Sequence, residues 1–352
     1  MTLTRISSFG RPMAALLGVL TLAAASLVAQ PASAHPGSAS QAGSSVHQGS
    51  GYVALGDSYA AGEGLTPFVS GTEGPGGCHR SAEESYPAVL ADSGQRSFAR
   101  LRSVACSGAV TADLVTTRPG SARPPQLAAL DARTKTVTVT IGGNDTGFGL
   151  IFGDCVYSPD PILQAGLAGP GCAARNDTDV TKRIVALSGD PGAPAVSDIV
   201  PLPVLLAQID ALSPRATIYL TGYPSMFGKK TTDAAGCRVS SVAPLYVAGS
   251  DAAWIRSKAT ELNATIRSAA TAARATGIDV RYADVAKSFR GHNLCDRKAS
   301  WLNGVVLTST APPQLSQATF HPTARGQRAY AKAVLKAADL RQHWPSGIRP
   351  GL

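Results

Sequence analysis

A chain of 352 residues, 44% of them hydrophobic, is long enough to bury a sizeable core, and no long low-complexity linker divides its middle, so one folded domain is expected. Lys and Arg number 32 against 23 Asp and Glu, a net charge of +9. The basic side chains are scattered, with no run, no aromatic interleaving and no nucleic-acid motif, which argues against nucleic acid and leaves anionic lipid or cell-wall surfaces as candidate contacts.

Arg5 and Arg11 precede an apolar run from Met13 to Ala29, and Pro31-Ala32-Ser33-Ala34 supplies small residues for cleavage. This pattern predicts a secretory signal over residues 1–34, because the run is short of the ~20 residues that span a bilayer. Residues 35–50 are rich in Gly, Ser, Ala and Gln and predict a disordered arm. The folded domain is expected over 51–345.

Export makes the six cysteines candidates for disulfides. None stands in a C-x-x-C pair, so no metal site and no zinc are expected. Fifteen connectivities are formally open. The simplest joins sequence neighbours: Cys78 with Cys106, Cys155 with Cys172, and Cys237 with Cys295.

In chain order, Tyr52 to Leu55 is a short apolar run that Gly56 turns sharply, which predicts a strand presenting Ser58 at its carboxyl end. Glu83 to Ala91 predicts a short helix interrupted by Pro87. Leu101 to Ala105 predicts a second strand, followed by Gly108 and a helix from near Val110. Thr136 to Ile141 is β-branched throughout and ends at Gly142-Gly143-Asn144-Asp145. Three successive strands thus stop in glycine-bearing polar turns, where ligands bind in an open parallel sheet.

Residues 153–200 look like an elaborated loop region with a helical piece over Thr181 to Leu187. A helix is expected over Leu202 to Leu212, a strand over Ala216 to Thr221, and a long amphipathic helix over Ala252 to Thr276 closed by Gly277. Ile278 to Tyr282 is the fifth strand and Thr323 to Leu340 the last helix. The alternation predicts an α/β fold, a three-layer α/β/α sandwich with a central five-stranded parallel sheet.

Gly56-Asp57-Ser58, Gly108, Gly142-Gly143-Asn144-Asp145 and His321-Pro322-Thr323 together resemble the blocks of the SGNH, or GDSL, hydrolase superfamily, over about residues 51 to 340. The resemblance implies that Ser58 is the nucleophile and His321 its general base. It also implies an oxyanion hole formed by the N–H groups of Ser58 and Gly108 and the side-chain amide of Asn144. The chemistry agrees: a serine hydroxyl is a poor nucleophile until a histidine takes its proton, and a tetrahedral intermediate needs donors aimed at its oxygen. No cofactor is implied.

Of six histidines, His35 and His47 fall in the expected arm and His343 near the tail, while His79 and His292 suit structural hydrogen bonds. His321 is followed by Pro322, which can open the final helix and leave the imidazole at a cleft edge. Asp57 is expected to brace its turn and Asp145 to hold its own loop. Members of the superfamily commonly carry an aspartate three residues before the histidine; here that residue is Ala318. Either a backbone carbonyl, that of Ala318, orients the ring, or a distant acid such as Asp284 or Asp296 does so.

The cysteine pattern, Phe289-Arg290-Gly291-His292-Asn293-Leu294-Cys295 and Trp301-Leu302-Asn303-Gly304 resemble secreted actinobacterial lipases and phospholipases of the superfamily. The expected function is that of a secreted, monomeric serine esterase acting on acyl esters of lipids. A carbohydrate acetylesterase, or a non-catalytic cell-wall binding module on the same scaffold, are the alternatives. The G-x-S-x-G elbow of α/β-hydrolases is absent from the sequence.

Overall fold

The computed structural model describes residues 51–229, 236–310 and 313–339; the expected signal and arm lie outside them, as do residues 340–345. Strands β1 (Tyr52–Gly56), β2 (Leu101–Ser103), β3 (Thr136–Thr140), β4 (Thr217–Thr221) and β5 (Val280–Ala283) form one sheet in the order β2-β1-β3-β4-β5. Every pairing is parallel, with Tyr52 opposite both Leu101 and Thr136, Thr136 opposite Thr217, and Ile218 opposite Val280. All residues of β1 and β3 are buried, which requires cover on both faces of the sheet.

The helices supply that cover. Helix α1 (Ser58–Ala61) is one turn after β1, α2 (Tyr86–Ala91) precedes β2, α3 (Thr111–Val115) follows it, and α4 (Phe148–Asp154) follows β3. Then come α5 (Cys172–Ser188), α6 (Leu202–Leu212), α7 (Gly249–Ala275) and α8 (Ala324–Ala337). Helices α2 and α8 pack together, and α5, α6 and α7 form a second packed group. Tyr52, Tyr86, Tyr330, Phe98 and Leu55 are among the largest fully buried side chains.

Two local readings change. Residues 153–200 hold α5, a helix of 17 residues, rather than a loop with one short helical piece. Its buried Val180, Ile184 and Leu187 recur at helical spacing, but its first half is polar and gains order through tertiary contacts. The Trp254 Nε1–H donates to Asp177 Oδ1 at 2.7 Å, and Lys258 Nζ to Thr181 Oγ1 at 2.8 Å. Pro87, in turn, opens α2 at its first turn instead of interrupting it.

Disulfides join Cys78 to Cys106, Cys155 to Cys172 and Cys237 to Cys295. The second links the end of α4 to the start of α5, and the first lies two residues before Gly108. In a sheet of this order the crevice opens where the chain reverses, between β1 and β3, at their carboxyl ends. Ser58 and Asn144 both sit there.

Candidate active site

The turn after β1 is built around Gly56. Its φ is +135°, and a Cβ there would stand 2.2 Å from the Thr140 carbonyl oxygen, so only glycine fits. Gln126 clamps the same residue, accepting its N–H at 2.7 Å and donating to its carbonyl at 2.9 Å. Asp57 donates its N–H to the Thr140 carbonyl at 2.9 Å, and its Oδ1 accepts the Tyr59 N–H at 2.9 Å as the cap of α1. Ser58 is therefore the first residue of a capped helical turn, held between β1 and β3.

His321 arrives from the other end of the chain. Thr323 caps α8, its Oγ1 accepting the Gly326 N–H at 3.3 Å, and the imidazole is left on the preceding loop. Tyr59 Oη donates to the Phe320 carbonyl at 2.9 Å, tying that loop to α1. The loop after α1 packs on it as well: a Cβ on Gly64, at φ +81°, would stand 2.5 Å from the Ala318 Cα. As a result His321 Nε2 lies 2.8 Å from Ser58 Oγ. Burial lowers the imidazole pKa to about 4, against opposing contributions from the Gln317 and Thr319 carbonyls. The ring is therefore neutral near pH 7 and able to accept the hydroxyl proton.

The Ala318 carbonyl, expected to orient the ring, forms no hydrogen bond with the imidazole. That oxygen accepts the backbone N–H of His321 at 3.1 Å, while the carbonyls of Gln317 and Thr319 favour the protonated ring. His321 Nδ1 is buried without a hydrogen bond of regular geometry, as catalytic contacts often are before substrate tightens them. The two distant acids are engaged elsewhere. Asp284 accepts the Lys287 N–H and pairs with Arg267, and Asp296 accepts from the N–H and the side-chain amide of Asn293.

Asn144 follows β3, and its Nδ2 donates to the Ala109 carbonyl at 3.0 Å, leaving a second amide hydrogen. That bond joins the Asn144 turn to the Gly108 turn. Gly108 adopts φ +71° and itself lies outside the pocket lining. Among the described residues, the N–H groups of Ser58 and Gly108 donate no hydrogen bond. Asp145 does more than hold its own loop. It accepts the N–H and hydroxyl of Thr111 at 2.9 and 2.5 Å, fixing the start of α3 against the Asn144 turn.

Four polar residues in and around the site carry no motif. Tyr223, just after β4, donates from Oη to Asp57 Oδ2 at 2.5 Å and accepts the Gly143 N–H at 3.0 Å. Asn263 on α7 fixes its backbone in both directions at 2.8 Å. Burial raises the Asp57 carboxyl to about 7, against the lowering effect of the Tyr223 hydrogen bond. Glu63 and His79 form a second buried pair, with His79 Nδ1 2.8 Å from Glu63 Oε1 and Nε2 2.7 Å from the Gly74 carbonyl. The histidine thus has a structural role, as does His292, which stacks on Trp301 and bonds the Ala299 carbonyl.

Ser58, His321 and Asn144 share a pocket of about 290 Å³ whose remaining walls are largely apolar, with Phe148, Phe152, Met226, Ile255, Ala259 and Phe320. Among the described residues, no group of three or more His, Cys, Asp or Glu could hold a metal ion.

The GDSL-like lipase/acylhydrolase family model matches residues 54–329. A lipase of Streptomyces rimosus is 32% identical over 90% of this chain and 96% of its own. Among solved structures, phospholipase A1 from Streptomyces albidoflavus is 30% identical with a TM-score of 0.59, covering 82% of this chain and 99% of its own. The extracellular lipase of Streptomyces rimosus is 31% identical with a TM-score of 0.57, over 81% of this chain and 98% of that one. The chain belongs to the GDSL-like lipase/acylhydrolase family and is a carboxylic ester hydrolase.

Proposed function

We propose that the protein is a secreted serine esterase that hydrolyses acyl esters of lipids, with Ser58 as nucleophile and His321 as general base. The observation that carries this reading is the 2.8 Å contact between Ser58 Oγ and His321 Nε2 in a largely apolar pocket. Ser58 Oγ attacks the ester carbonyl while its proton passes to His321 Nε2. The carbonyl oxygen becomes an oxyanion, received by the N–H groups of Ser58 and Gly108 and the Asn144 amide. His321 then gives its proton to the departing alcohol, and a water activated by the same nitrogen releases the acid from Ser58. The Gln317 and Thr319 carbonyls stabilise the imidazolium in place of a carboxylate.

The apolar walls favour an acyl chain over an acetyl group on a sugar. The rim is apolar too: Leu315 lines the pocket yet is 66% exposed, and Leu150, beside the lining residue Gly149, is 85% exposed. Export is supported by the leader-like segment over residues 1–34 and by three disulfides. Hydrolysis rates for acetyl, octanoyl and long-chain nitrophenyl esters test the substrate class. The expected result is faster turnover of the longer chains; preference for acetyl esters would favour a carbohydrate acetylesterase.

A further inference from the structure

A second, wider groove of about 690 Å³ is lined by Arg80, Arg102, Arg118 and Arg123 together with the Cys78–Cys106 disulfide. Its one carboxylate among the described lining residues, Asp113, is taken by Arg118. Among the described residues, Arg80, Arg102 and Arg123 have no acidic partner. They are nonetheless held in place. Arg80 donates to the Ala105 carbonyl at 3.2 Å, Arg123 to the Gly76 carbonyl at 2.6 Å, and Arg102 to the Ala129 carbonyl at 3.4 Å.

Carbonyl oxygens orient a guanidinium without cancelling its charge. The groove therefore keeps an excess of about three positive charges, on guanidiniums that each donate to a carbonyl and, for Arg80, Arg102 and Arg123, have no acidic partner among the described residues. Burial, and then the charge of Arg123, lower the pKa of Arg80. That repulsion between two oriented guanidiniums is relieved by an anion between them. Several N–H donors at separate positions suit the tetrahedral oxygens of a phosphate better than a planar carboxylate.

We propose that this groove binds the phosphate ester of an anionic phospholipid head group. The choice of a lipid as carrier rests on the substrate reading above; the arginine geometry requires only the phosphate ester. Ala109 lines the groove, and its carbonyl holds Asn144, which lines the pocket. A head group seated there would bring the lipid surface to the side of the candidate active site.

Binding is measured apart from turnover, with the Ser58→Ala protein freed of the leader-like residues 1–34, on vesicles of phosphatidylcholine with and without phosphatidylglycerol. Retention only on the anionic vesicles is expected. Arg80→Gln with Arg123→Gln should weaken it about thirtyfold, given the usual contribution of each basic residue near an anionic surface. Arg102→Gln with Arg123→Gln, which leaves the half-buried Arg80 untouched, should do the same. Lys332→Gln with Lys336→Gln, two exposed lysines of α8, removes equal charge and should change binding by less than about threefold if the groove is specific.

Equal losses in the lysine control, or no loss in either arginine pair, would overturn the proposal. Glycerol 3-phosphate should release bound protein more effectively than sodium chloride of equal ionic strength; equal release would also overturn it. In the Ser58-containing background the arginine variants should hydrolyse short-chain esters at the wild-type rate. Failure of the esterase reading would appear in that assay and not in the vesicle measurement.

Discussion

Tyr223 Oη and Asp57 Oδ2 stand 2.5 Å apart, and the same hydroxyl accepts the Gly143 N–H. One side chain thereby joins the turn that carries Ser58 to the turn that carries Asn144. The tyrosine proton lies toward the carboxylate, because the second interaction of Oη is as an acceptor. Tyr223→Phe keeps the ring and removes both bonds. Above about pH 7, where the Asp57 carboxyl is ionised, loss of this hydrogen bond to a charged group should cost about 1.5–3 kcal/mol in stability. If the two turns drift, kcat should fall about tenfold or more with KM nearly unchanged, since oxyanion stabilisation is a transition-state interaction. Steady-state kinetics and denaturant unfolding check this; an unchanged kcat would show that the bridge does not position the site.

The buried imidazole makes a titration prediction. Burial holds the folded His321 imidazole at about 4, below its ordinary value of 6.5. Its neutral form therefore contributes stability that is present above pH 6.5 and is lost as pH falls through about 4. NMR titration of the ring should give a midpoint near 4, and His321→Ala should gain stability relative to wild type as the pH drops across that window. A midpoint near 6.5 would contradict the burial argument.

No carboxylate partners His321 among the described residues. Asp284→Asn and Asp296→Asn should each keep turnover within about tenfold of wild type, whereas loss of a true triad aspartate costs ~10⁴. His321→Ala should be severely impaired in either case. A loss of several thousandfold in one Asn variant, with its fold preserved, would restore a triad.

The four blocks were legible because each pairs a strand end with a residue type that its chemistry demands. Ser58, Asn144 and His321 come together as their positions at strand and helix ends imply, and the five strands are those expected within two residues at each boundary. Tyr223 was not legible: its partner Asp57 is 166 residues away, and Gly-Tyr-Pro reads locally as no more than a turn. Helix α5 was hidden for a related reason, since the polar first half shows no apolar periodicity and is ordered by Trp254 and Lys258 of α7. The carbonyls beside His321 depend on a loop conformation that includes Phe320 at φ +58°, and no sequence pattern specifies that backbone.

The Cys78–Cys106 bridge anchors the chain two residues before Gly108. Replacing both cysteines by serine should lower stability by roughly 2–4 kcal/mol, mainly by freeing the unfolded chain. It should also reduce turnover, because the Gly108 turn loses its tether. Denaturant midpoints and ester hydrolysis measured on the same preparation test both effects, and an unchanged midpoint would contradict the first.

The central claim is that Ser58 forms the acyl-enzyme, and the most direct measurement compares wild type with Ser58→Ala on an ester that the wild type cleaves. A loss of at least about 10⁴-fold in turnover is expected, as for removal of other serine nucleophiles. The melting temperature should be close to that of wild type, because only a hydroxyl is removed. A rate near that of wild type, with melting unchanged, would contradict the assignment.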